Sequence, residues 1–238
     1  MKEKYERESY DTTVTGGFSK KAENFWYHYK WHTIVAIFIV IVATVCTMQM
    51  CSRTDYDVHV LYAGGKSFGK SADSNEYITI NDALRIVSED FDENGENSPL
   101  FQSFLFPTDK EYVDKYADLG MESLIANDKE AFVNAMTGSK EYYLCFLSPE
   151  IFAMYDIMLE SGGTPLIALN EYAQAEQLTE SGRGIKLAET DFYKLPGISN
   201  LPDDTIICIR TLSATLGDRE NYEKSLVLLK NIMAYSLD

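Results

Sequence analysis

Apolar and polar positions divide this chain into two regimes. Residues 1–30 are mostly polar, and the next 22, Trp31 to Ser52 (WHTIVAIFIVIVATVCTMQMCS), contain no Asp, Glu, Lys or Arg and are bounded by Lys30 and Arg53. At 1.5 Å per residue that stretch makes a helix of about 33 Å, which matches the hydrocarbon core of a bilayer. The pattern predicts one transmembrane helix over 31–52, a tail over 1–30 and a separate domain over 53–238.

Within 53–238 short apolar runs alternate with amphipathic ones. Val58 to Ala63 reads as a first strand ending in Gly64-Gly65, and Leu100 to Phe106 as a second. Between them Asn81 or Asp82 is placed to cap a helix whose apolar side carries Ala83, Leu84, Ile86, Val87 and Phe91. Thr108-Asp109-Lys110-Glu111 is a capping-box pattern that predicts a helix to about Leu119, and Ile125, Phe132, Val133 and Met136 predict another. Tyr142 to Leu147 is continuously apolar, as strands are when helices cover both faces. Ser148 then caps, and Pro149 opens, a helix that runs through Leu159 before Gly162-Gly163. Pro165 to Leu169, Ile185 to Leu187 and Thr205 to Leu212 supply further strands, and Tyr222, Leu226, Leu229 and Met233 mark a closing helix. Strands alternating with helices predict an α/β fold, a three-layer domain with a largely parallel sheet, preceded by the transmembrane helix.

Charge orients the span. Residues 1–31 hold six Lys or Arg, whereas Arg53 is the only one on the far side before Lys66. The positive-inside bias therefore places the tail in the cytoplasm and residues 53–238 outside the cell membrane. A cleaved signal peptide would put a shorter apolar run nearer the start, so an uncleaved anchor is expected. Five of the eight residues Phe25 to His32 carry Phe, Trp or Tyr rings, which favour the headgroup layer and set the depth of the helix. Alternatively, Phe18, Ala22, Phe25, Trp26 and Tyr29 form one face of a short helix on the inner leaflet. Cys51 follows Met48, Gln49 and Met50, which are not the small residues of a lipid-modified bacterial anchor.

Residues 53–238 hold 15 basic and 32 acidic side chains, a net −17. Such a field repels phosphate backbones, so nucleic acid is excluded as an expected partner. About 185 residues rich in Tyr, Phe, Leu and Ile suffice for one buried core. Cys145 and Cys208 each lie within an apolar run, which favours two buried thiols over a bridge.

Few motifs carry chemistry. Gly64-Gly65-Lys66-Ser67-Phe68-Gly69-Lys70-Ser71 fits the phosphate-loop pattern after a strand, but Ala72 to Thr79 is polar and does not read as the helix such a loop opens. No later strand ends in a magnesium-holding Asp. Asp90 to Glu96 has the spacing of half a calcium loop, yet the twelfth position is Phe101 rather than a bidentate Glu. The outer domain has one histidine, His59, on a strand, and no HExxH, CxxC or Gly-x-Ser-x-Gly pattern. No catalytic residue, resident metal or cofactor is expected.

The strand Val58 to Gly64 and the stretch Tyr143 to Glu150 resemble the first lobe of extracytoplasmic solute-binding proteins. The chain is also similar to uncharacterised single-pass membrane proteins of Gram-positive bacteria that begin with an aromatic juxtamembrane cluster. The outer part is too short for two lobes, so the resemblance does not carry clamshell capture with it. The leading expectation is a membrane-anchored extracytoplasmic binding or interaction module without catalytic activity. Its partners would be the lipid bilayer together with a membrane or cell-surface protein or a small-molecule ligand. The competing expectations are a cell-surface hydrolase using paired carboxylates and a structural subunit of a membrane complex. A ligand site at the carboxyl ends of the strands would bring together Tyr62, Gly64, Gly65 and Ser148.

Overall fold

The computed structural model describes residues 18–51, 56–68, 74–157, 165–214 and 217–237, and the chain divides into two units, Met1–Thr54 and Asp55–Asp238. In the first unit a single helix, α1 (Phe18–Cys51), contains the segment Phe25–Met48, which is long and apolar enough to cross a membrane. Its large apolar side chains, from Phe25 to Met48, are exposed within the unit. The tail residues 1–17 lie outside the described residues.

The second unit is built on a five-stranded sheet in the order β2-β1-β3-β5-β4. The strands are β1 (Val58–Gly64), β2 (Pro99–Leu105), β3 (Tyr142–Leu147), β4 (Ile185–Lys186) and β5 (Ile206–Ile209). Helices α2 (Asn75–Val87), α3 (Lys110–Asp118), α4 (Glu122–Gly138), α5 (Pro149–Tyr155) and α6 (Arg219–Ala234) surround it. Because side chains alternate along a strand, β1 feeds two cores. Val58, Val60 and Tyr62 pack with Ile80 and Leu84 of α2 and Leu228 and Leu229 of α6. Leu61 and Ala63 pack with Phe132 and Met136 of α4 and Ile151 and Phe152 of α5.

The sheet is mixed. β1 pairs in parallel with β2 and β3, but β5 runs antiparallel to both β3 and β4. β4 and β5 are joined by residues 187–205, whose helical content is limited to short 3-10 turns such as Ile198–Asn200. Pro165 to Leu169 forms no full strand; Leu166 makes one bridge to Arg210.

Two helices differ from expectation. α2 starts at Asn75 rather than being capped at Asn81 or Asp82, because Tyr77 and Ile80 extend its apolar face toward the core. Asn81 is therefore mid-helix, where its side-chain oxygen accepts the Phe101 N–H at 2.9 Å. From α4, Asp128 accepts the Leu105 N–H at 2.9 Å, so two helices close hydrogen-bonding positions along the exposed edge of β2. α5 ends at Tyr155, and the rest of its expected length, with Gly162-Gly163, lies outside the described residues.

Candidate functional site

The connections from β1 and β3 create a crevice. After β1 the chain turns to α2 on one face of the sheet, and after β3 it turns to α5 on the other. Neighbouring strands whose continuations diverge leave a gap at their carboxyl ends. The floor is tied across the strands, since the Ala63 carbonyl accepts the Ser148 N–H at 3.0 Å and the Gly64 carbonyl accepts the Phe106 N–H at 2.8 Å. Antiparallel pairing sets Ile206 opposite Leu147, so Thr205, just before β5, arrives beside Ser148. The space enclosed is about 170 Å³.

Of the four residues expected at the strand ends, Tyr62, Gly65 and Ser148 line this space. Gly64 does not; it lies against Tyr62, and a Cβ at this position would collide with the phenol ring. Burial pushes the Tyr62 hydroxyl far above its usual pKa, against a smaller opposing effect of the Lys66 N–H that it accepts. The Gly65 carbonyl accepts the Tyr116 hydroxyl at 3.0 Å. Ser148 occupies the N-cap position of α5, but its side chain makes no capping bond. Its Oγ and Thr205 Oγ1 are shielded from solvent without a hydrogen-bond partner among the described residues. The expectation of a Ser148 cap is thus corrected, and its hydroxyl is left at the crevice.

Thr205 was not foreseen as a site residue, nor were the charged residues around the mouth. Asp109, Glu150 and Asp204 line it, with Lys66 and the ring of Tyr112. Asp204 and Thr205 reach this end because β5 runs antiparallel to β3, a pairing with no local signature in the sequence. Desolvation raises the Asp204 carboxyl above its usual pKa, and the neighbouring Glu150 and Asp203 add to the shift. Thr108 donates to Glu150 Oε2 at 3.3 Å. Lys66 Nζ donates to the Asn200 carbonyl at 2.7 Å and stands 3.4 Å from Glu76.

The other motifs are accounted for locally. The phosphate-loop pattern runs into Gly69, Lys70 and Ser71, which lie outside the described residues; contrary to expectation a helix does follow, from Asn75. Asp57, Asp90 and Asp92 bring carboxylate oxygens within 4.8 Å of one another. All three accept backbone N–H groups: Asp57 from Phe91, Asp92 and Ser98, Asp90 from Asn94 and Gly95, and Asp92 from Asn94. These bonds build an Asn-Gly turn in which Gly95 takes φ 91°. His59 stands at the opposite end of β1 between the rings of Tyr56 and Tyr142, and burial lowers its pKa. Cys145 and Cys208 face each other across β3 and β5 as buried free thiols.

Comparison with protein-family models, curated proteins and solved structures finds no match. Any functional reading therefore rests on the crevice.

Proposed function

We propose that this chain is a membrane-anchored extracytoplasmic binding module that holds a small molecule in the crevice at the carboxyl ends of β1 and β3. In this reading α1 spans the cell membrane with residues 1–30 in the cytoplasm, and residues 53–238 form a helix–sheet–helix module outside it. The observation that carries the proposal is the pair of shielded hydroxyls, Ser148 Oγ and Thr205 Oγ1, on residues that line the strand-end gap and without a hydrogen-bond partner among the described residues. A buried hydroxyl left unpaired costs roughly 1–3 kcal/mol, and a ligand that supplies the missing bonds recovers it.

The test is thermal unfolding of the full-length chain in detergent against a panel of amino acids, amines, sugars and carboxylates, run beside Thr108→Trp, which fills the mouth. A ligand at about 100 times its Kd stabilises by roughly 2.7 kcal/mol, a rise of about 5–10 °C for a domain of this size. A compound that shifts the wild type and not the filled variant supports the proposal. Equal shifts in both, or none across the panel, would refute it.

A further inference from the structure

We infer that the ligand of this crevice carries an ammonium group. The inference rests on the binding role proposed above and adds the chemistry of the occupant. Two separate elements deliver carboxylates to the same mouth: Glu150 from α5 and Asp204 from the turn before β5. The one cation among the described lining residues, Lys66, is directed away from them. It donates to the Asn200 carbonyl, pairs with Glu76 and lies 4.9 Å from the Phe68 ring centroid. The mouth therefore keeps an excess of negative charge; desolvation, with Glu150 and Asp203 nearby, raises the Asp204 carboxyl above its usual pKa.

Acidic residues alone would describe any solvated rim of this net −17 domain. The difference here is Thr205, which is 1% exposed yet leaves its hydroxyl unpartnered at the base of the same space. A hydroxyl both donates and accepts, so with Ser148 it can bind a second polar group of an occupant whose cationic end meets the carboxylates. Tyr112 provides an aromatic wall, a surface that attracts cations more than anions. At about 170 Å³ the space is smaller than a drug-sized pocket and suits a short amine.

Three four-carbon probes that differ only in their ends separate the alternatives: butane-1,4-diamine, butane-1,4-diol and succinate. Each is titrated calorimetrically into the full-length chain in detergent at low ionic strength. The diamine is expected to bind at least tenfold more tightly than the diol, with no heat from succinate. Glu150→Gln with Asp204→Asn, at exposed positions, and Thr205→Val should each weaken the diamine at least tenfold. Glu176→Gln with Glu180→Gln, an equal loss of charge away from the crevice, should leave it unchanged. Diamine binding that all these variants share equally would be general attraction to an acidic surface and overturns the inference. A diol or succinate that binds as tightly as the diamine, and is weakened by Thr205→Val, overturns the ammonium while upholding the crevice. No binding of the diamine to the folded chain also overturns it, and the comparison with Thr108→Trp then decides the crevice by itself.

Discussion

Replacing Arg210 should unfold the Asp55–Asp238 unit more readily than any surface change, because this side chain fastens the end of α4 to the sheet. Arg210 is 5% exposed, and its guanidinium has no carboxylate acceptor among the described residues. Instead it donates to the carbonyls of Tyr142 at 2.9 Å and Met136 at 3.2 Å, and to that of Ser139. Two of these acceptors belong to the C-terminal end of α4, where unpaired carbonyls and the helix dipole favour a cation. Beneath it, 4.6 Å away, lies the ring of Tyr143, the residue passed over where the pairing of β1 with β3 shifts register after His59. The Tyr143 hydroxyl accepts the N–H of Asp218, whose carboxylate caps α6, so the arginine, the bulge and two helix ends form one connected assembly. Arg210→Met keeps the stem but removes every donor. Three acceptors lose charge-assisted bonds, and with partial rehydration at the Ser139 side the cost is about 3–5 kcal/mol. In a domain of this length that lowers Tm by roughly 6–20 °C. Urea unfolding of the full-length chain followed by circular dichroism measures it, with Arg210→Lys expected between the two because one ammonium cannot reach three carbonyls. A loss below about 1 kcal/mol for Arg210→Met would show that these bonds do not hold the domain together.

Asp57 and the cysteine pair give two further tests. Burial pushes the Asp57 carboxyl up, but hydrogen bonds from the Ser98 and Phe91 N–H groups, the Ser98 hydroxyl and the Asp92 N–H together hold it below the usual 3.8. A depressed folded pKa gives stability that is fully present above the unfolded value and lost as pH falls through the folded one. Asp57→Asn should therefore cost about 1–3 kcal/mol at neutral pH, and the gap to wild type should close below about pH 4; a gap independent of acid would contradict the hydrogen-bond assignment. Burial, reinforced by the adjacent Cys145, raises the Cys208 thiol above its usual pKa. Neither cysteine should react with Ellman's reagent in the folded protein, and both should react in urea without reductant; rapid native labelling, or a bridge in the unreduced protein, would contradict the packing.

Individual elements show where periodicity was sufficient. Tyr142 to Leu147 could be read as a buried strand because every residue is apolar, and α6 because Leu229 and Met233 lie four apart. Polar helical residues were harder. The start of α2 was hidden because Asn75, Glu76 and Thr79 face outward, and Asn81 resembled a cap when its partner was the N–H of Phe101, twenty residues away. Ser148 failed in the same way: its type and place before Pro149 predict a cap, yet side-chain geometry leaves its hydroxyl at the crevice.

The sequence by itself determined an uncharged span of bilayer length, a strongly acidic remainder and the α/β alternation within it, since these depend on local composition and period. Of the strand-end residues Tyr62, Gly64, Gly65 and Ser148 that the ends of apolar runs pointed to, all but Gly64 line one space. Tertiary structure alone decided that β5 runs against β3, and with it that Thr205 and Asp204 meet Ser148 and Glu150. Strand direction is set by how the chain returns across the sheet, a long-range property with no signature in the four residues Ile206 to Ile209.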